Sequence, residues 1–429
     1  MPLLRGLLAD TRPLSDPHFR RLWIANIITV IGAQLTVVAV PAQIYAMTGS
    51  SAYVGLTGLF GLVPLVVFGL WGGALADVFD RRTILVITTT GLIITSGLFW
   101  LQAAIGGTDG FGVWFLLWLF AVQQAFFAVN QPTRSAILPA LLPAHLIPSA
   151  ASLNMTVMQA GAIAGPLVGG AMIPLLGYAW LYAVDTVLLF ATLWAVVLLP
   201  ALRIEGAAAK VPGVRSVVDG FAYLRHHPVL LMSFVVDLIA MVFGMPRALF
   251  PEIAHLGFGG PAEGGLIFAL LFAAIPAGAV LGGVLSGWVS RVERQGLAVI
   301  ICILVWGAAM TGFGVAVLFA DLSPPVLLGV AVGCLAIGGA ADMASAAFRT
   351  SMLLTAADDR VRGRLQGVFI VVVAGGPRVA DTLHGAAAAV VGAAVAAAGG
   401  GVLVIVGTVI AALVVPTFVR YRVTRPAAD

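Results

Sequence analysis

Gly72-Gly73-Ala74-Leu75-Ala76-Asp77-Val78-Phe79-Asp80-Arg81-Arg82 is the stretch that decides the architecture. An apolar run from residue 52 leads into it, and a second apolar run leaves it at residue 84. Four charges packed between two such runs mark a short turn joining two membrane-crossing helices, each needing about 20 apolar residues. The paired arginines place that turn on the face where basic residues collect.

The rest of the chain repeats this pattern. Of 429 residues 61% are hydrophobic and 9% are charged, against roughly 25% charged in soluble domains. The mean hydropathy is +1.09. Such a chain could not cover its surface with polar groups in water, so lipid is its solvent. Apolar runs occupy residues 22–47, 52–78, 84–105, 112–133, 150–176, 178–199, 229–255, 262–289, 295–320, 325–347, 364–390 and 393–418. The expected fold is all-α, with twelve transmembrane helices. The charges among residues 1–20 leave no room for a cleavable leader, so the first span is expected to be retained. Cys302 and Cys334 both lie in apolar runs and suit packing, not a disulfide framework or a metal cluster. The formal charge of +4 would suggest a nucleic-acid partner in a soluble protein; here it follows from topology. With the amino terminus in the cytoplasm and twelve alternating spans, 20 of the 22 Lys and Arg residues fall on the inner side. These include Arg81, Arg82, Arg134 and Arg349. The other two, Arg247 and Arg378, lie within spans. Both termini are therefore expected in the cytoplasm.

The second half echoes the first. Residues 72–81 read GGALADVFDR and residues 282–291 read GGVLSGWVSR; Gly165-Pro166 in the fifth span answers to Gly376-Pro377 in the eleventh. Two matches at nearly one offset indicate a duplicated six-helix bundle. The expected division is a first bundle at 1–199, a cytoplasmic linker at 200–227 and a second bundle at 228–429, a layout suited to alternating access about a midplane site.

The motif Gly73-x-x-x-Asp77-x-x-Asp80-Arg81-Arg82 resembles the loop 2–3 signature of the major facilitator superfamily, with Asp80 in place of the usual glycine. The resemblance implies a gating role for Gly73, Asp77, Asp80, Arg81 and Arg82. Gly73 would allow close helix approach, and Asp77 would pair with Arg81 or cap another helix. Arg134 and Asp342 are expected near the same cytoplasmic gate. Gly161-x-x-x-Gly165-Pro166-x-x-Gly169-Gly170 resembles the fifth-helix motif of exporters in this superfamily, and generic small-residue packing is the other reading. Asp16-Pro17-His18-Phe19-Arg20, Val40-Pro41-Ala42-Gln43-Ile44-Tyr45, Ala273-Ala274-Ile275-Pro276 and Gly363-Arg364-Leu365-Gln366-Gly367 are similar to the enterobactin exporter group. That resemblance covers residues 16–390 and implies proton-driven export of a catecholate siderophore across the bacterial inner membrane. A multidrug or macrolide efflux pump of the same fold is the alternative, and an importer a further one. Many proton antiporters of the superfamily carry an arginine shortly before a glutamine in helix four. Ala121 stands there in this chain, so that proton path does not carry over.

Ionisable residues inside spans cost about 2.5–3.5 kcal/mol each on insertion scales and so need a partner or a task. Asp237 is about 14 Å into the seventh span at ~1.5 Å per residue and is the first candidate for proton coupling. Asp381 and Arg378, three residues apart, are the next; they form either a structural pair or a protonation switch. Arg247 is expected to receive an anionic substrate or to pair with Glu252. Asp185 reads as structural. Gln34, Gln43, Gln123, Gln124 and Asn130 lie on spans expected to line the cavity, where they would bond either an oxygen-rich substrate or a neighbouring helix. The expected partners are a small molecule, protons and membrane lipid, for a monomer without cofactor or nucleic acid. No P-loop is present, no nucleophile–base set is visible, and no soluble output domain fits the linker or the tail. Direct ATP drive, enzymatic chemistry and a sensor role are accordingly not expected.

Overall fold

The computed structural model describes residues 10–106, 110–200, 222–356 and 362–422. Twelve helices of spanning length follow one another: α1 (Pro17–Thr48), α2 (Ser51–Val78), α3 (Arg81–Ile105), α4 (Gly110–Leu141), α5 (147–176), α6 (178–197), α7 (Pro228–Gly244), α8 (Leu266–Val284), α9 (Gln295–Leu318), α10 (Pro324–Ala356), α11 (Arg362–Val391) and α12 (Ala393–Val414). No strand occurs among the described residues. Pro17, Pro228 and Pro324 each open a helix, where the missing N–H has no intrahelical partner to lose. Gly177, at φ +75°, and Gly392, at φ +83°, turn α5 into α6 and α11 into α12 through a single residue. A side chain rarely adopts that backbone conformation. The outward side chains are apolar, among them Ile94, Trp118, Trp180, Val187, Ile337 and Leu413, which suits hydrocarbon and not water.

Contacts gather the chain into two units, residues 1–43 with 63–211 and residues 44–62 with 212–429. The segment 44–62 groups with the second half although it precedes the linker in sequence.

In the first unit the glycines of α5 seat α1. A Cβ on Gly161 would strike the Val30 side chain, one on Gly165 would strike Gln34, and one on Gly169 would come within 2.9 Å of Leu35. Pro166 and Gly170 are buried on the same helix. The exporter-like motif is thus a helix-packing face, and Gln34 lies against it. Asp80 caps α3: its carboxylate accepts from the Thr83 backbone N–H at 3.2 Å and from the Thr83 hydroxyl at 2.8 Å. The residue that replaces the usual glycine therefore satisfies a helix start. Arg81 donates to the Ala136 carbonyl at 2.5 Å and Arg82 to the Val197 carbonyl at 2.6 Å. The two arginines tie the start of α3 to the late turns of α4 and α6, where carbonyls are rich in negative potential. The side chains of Gly73 and Asp77 lie outside the described residues. Ahead of α1, Asp10 accepts from Arg12 at 2.8 Å and from Ser149 at 2.7 Å. These bonds, Arg12 first, hold the Asp10 carboxyl below its ordinary range.

Three expectations are corrected. The seventh span is not one helix: α7 stops at Gly244, Met245 takes φ −110° and ψ 89°, and a 3-10 turn at Arg247–Leu249, a short helical stretch at Phe250–Glu252 and a π turn at Ile253–Gly257 follow. Pro246 removes a backbone donor and stops the ladder. Asp237 and Arg247 therefore do not lie on one continuous helix. α10 runs to Ala356, past the expected end at 347, so Arg349 belongs to a helix interior and not to a cytoplasmic loop. α8 ends at Val284, and the echo of the loop signature continues as a 3-10 turn, Ser286–Arg291.

Replacing Gly165 by leucine is expected to wedge α5 from α1 and to lower the detergent-solubilised melting temperature by several degrees. An unchanged melting curve would contradict the packing described here.

Candidate transport site

Among the described residues Asp237, Arg349, Asp381 and His384 are buried in the second unit, and Asp185 is buried in the first. Asp237, midway along α7, is 2% exposed, and Arg349 of α10 is 8% exposed. The Arg349 Nη1 forms an ion pair with the Asp237 Oδ2. The Arg349 Nη2 is 3.8 Å from an Asp342 carboxylate oxygen. Asp342 and Arg349 are seven residues apart, two helical turns, so they share one face of α10. One guanidinium thus serves two carboxylates. The arrangement holds together because a lone charge in such a place would be far more costly than a paired one. Arg349 was not read as a site residue from sequence, where it was counted with the inner-face arginines. The spacing of Asp342 and Arg349 was the available signal.

The second group surrounds the break in α7. Asp381 and His384 of α11 are both buried. Oδ1 of Asp381 has no hydrogen-bond partner. The His384 Nδ1 is 3.1 Å from the Ala380 carbonyl. The Trp306 indole N–H of α9 donates to the Ala240 carbonyl at 3.2 Å. An α9 side chain thereby bonds the backbone of α7 one turn before its end. On its other side α11 meets the first turns of α2. The Thr382 hydroxyl donates to the Gly55 carbonyl at 3.1 Å. A Cβ on Gly58 would collide with the Arg378 carbonyl, and one on Gly385 would come within 2.8 Å of the Gly55 Cα. Arg378 is two turns before Gly385 on this packed stretch of α11. The ring of Tyr45 meets His255 edge-on at 6.2 Å.

In the first unit, several residues expected to line a cavity join helices instead. Gln43 donates to the Gln102 side chain at 2.7 Å and accepts from the Tyr182 hydroxyl at 2.9 Å. Asn130 donates to the Thr88 hydroxyl at 2.8 Å. Gln124 is buried and Gln123 half-buried on α4. Asp185 accepts from Thr36 at 2.7 Å and from Ser96 at 3.0 Å, which joins α1, α3 and α6. Arg134 donates to the Asn26 side chain at 2.6 Å. Among the described residues no group of three or more His, Cys, Asp or Glu side chains could hold a metal ion.

A bundle of twelve spanning helices with buried charge pairs defines a secondary transporter of the major facilitator superfamily. The chain belongs to the transmembrane secretion effector family, whose model matches residues 9–421. It is 28% identical to the enterobactin exporter EntS of Shigella boydii serotype 18 over 413 residues, 96% of this chain and 95% of that protein. The same identity and coverage hold for EntS of Escherichia coli O1:K1. Among solved structures, a bacterial homologue of the human lysosomal transporter Spinster superposes with a TM-score of 0.69 at 16% identity, covering 97% of this chain and 100% of that one. A bacterial homologue of the iron transporter ferroportin gives 0.69 at 13% identity, covering 94% and 98%. These two share the fold.

Arg349→Gln is expected to leave Asp237 buried and unpaired and to destabilise the protein by about 3–5 kcal/mol. The double variant Arg349→Gln with Asp237→Asn is expected to recover much of that loss in a thermal unfolding cycle. Additive losses would mean that the two side chains do not interact.

Proposed function

We propose that this chain is a proton-coupled exporter of a siderophore-class small molecule, working by alternating access as a monomer in the bacterial inner membrane with both termini in the cytoplasm. The observation that carries the reading is the sharing of Arg349 between Asp237 and Asp342 inside an exporter-family fold. With both carboxylates ionised the cluster has one negative charge in excess, and a single proton neutralises it. Loading and releasing that proton changes which partner Arg349 holds, and α7 and α10 move with it. Asp381, beside Arg378 and His384, is the second proton carrier in this reading, and it acts on the break in α7. Asp80, Arg81 and Arg82, together with Gly73 and Asp77, hold the gate on the cytoplasmic side. Arg247, Gln123 and Gln124 face the substrate path. The similarity to proteins named enterobactin exporters, over nearly their full length, supports both the direction of transport and the substrate class. It also supports a transporter rather than an enzyme.

The test pairs two measurements. In a deletion strain under iron limitation, extracellular siderophore is expected to fall and to return with the wild-type chain. Unchanged secretion together with altered drug sensitivity would replace the substrate. In proteoliposomes, Asp237→Asn is expected to abolish export driven by a proton gradient while substrate counterflow persists. Normal proton-driven export by a folded Asp237→Asn variant would remove Asp237 from the mechanism, and the same measurement on Asp381→Asn decides the second carrier.

A further inference from the structure

Asp185 of α6 is 2% exposed within the first unit. Asp237 has Arg349 as its partner, but among the described residues no Lys, Arg or His pairs with Asp185. A buried charge without a counter-charge is costly. The Oδ2 of Asp185 accepts from the Thr36 and Ser96 hydroxyls, which come from α1 and α3. Its Oδ1 is out of contact with solvent and has no hydrogen-bond partner. A proton on Oδ1 would leave an O–H without an acceptor, and a proton on Oδ2 would leave Oδ1 bare, so protonation alone completes neither form. Neutral oxygens continue the cluster. The Thr186 Oγ1 is 3.0 Å from the Ser96 Oγ and 2.7 Å from the Tyr182 carbonyl oxygen, which is 3.4 Å from the Ser96 Oγ. A Cβ on Gly32 would strike Oδ1, so the glycine of α1 leaves that oxygen its space.

We propose that this cluster binds one sodium ion, with Asp185 supplying the charge and Thr36, Ser96, Thr186 and the Tyr182 carbonyl supplying neutral oxygens. Hydroxyls suit both states, since each can donate to a carboxylate or turn a lone pair to a cation. Calcium takes oxygen ligands at about 2.3–2.6 Å, and sodium has nearly the same ionic radius. Neighbouring oxygens in such a shell are about 3.0–3.5 Å apart, so the cluster needs only small side-chain rotations to form one. A single carboxylate suits a monovalent ion, whereas a divalent ion would call for more acidic ligands. The bound ion draws α1, α3 and α6 together at one point. Asp237, Asp342 and Asp381 belong to the second unit, so the sodium site is separate from the proton carriers proposed there and stands whatever the transported molecule is.

Purified full-length protein in nanodiscs is equilibrated with radioactive sodium, and the retained ion is counted against added chloride salts. Saturable binding of one ion per chain is expected, displaced by unlabelled sodium, much less by potassium and not by choline. Asp185→Asn keeps the shape and can accept both hydroxyl bonds but has no charge, and it is expected to abolish the binding. Thr36→Val removes one ligand oxygen at nearly constant volume and is expected to weaken binding about tenfold or more. It serves as the deciding variant if Asp185→Asn does not fold, with the melting curve of each variant as the check. No saturable binding by wild type would overturn the proposal and leave Asp185 to a proton. Equal displacement by potassium or choline, or undiminished sodium binding in a folded Asp185→Asn or Thr36→Val variant, would overturn it as well.

Discussion

In the interior of the second unit one guanidinium faces two carboxylates. Arg349 pairs with Asp237 of α7 and is 3.8 Å from Asp342 of its own helix. Asp237 and Arg349 are buried and depend on each other for their charge, while the Asp342 side chain is partly exposed. Helices that carry such a set are held in register by electrostatics as well as by packing. A fully apolar interface of the same size would be at least as stable but would offer nothing for a proton to act on.

The break in α7 obeys the same rule. Pro246 interrupts the helix, and the Trp306 indole bonds the Ala240 carbonyl one turn before the end of α7. A discontinuity at membrane depth survives only with such partners. On the far side of α11 the close approach to Gly55 and Gly58 of α2 leaves little slack. A shift of α11 must be passed on to α2.

Much of this was legible in the chain. The apolar runs gave all twelve helices, and the one-residue turn at Gly177 fell between two of them. The Gly161–Gly170 pattern marked a packing face, and the structure adds that the helix it seats is α1. The partner choice was not legible. Periodicity tells which side chains share a face of one helix, but not which helix lies opposite, so Gln43 and Asn130 read equally well as cavity or seam. Arg349 was misplaced because α10 was ended nine residues early, and a basic residue near an apolar boundary looks like an inner-face anchor. The sequence Gly244-Met245-Pro246 was visible, but proline alone did not mark a break. Pro41, Pro64, Pro166 and Pro276 all sit inside helices that continue.

Gly177 and Gly392 reverse the chain without any loop at all. At those two corners the molecule offers no slack segment to a protease, no place for an inserted peptide and little backbone for an antibody to grasp. A reagent aimed at that end of either helix pair has only the shoulders of packed helices to hold. Recognition at either corner must therefore be by shape.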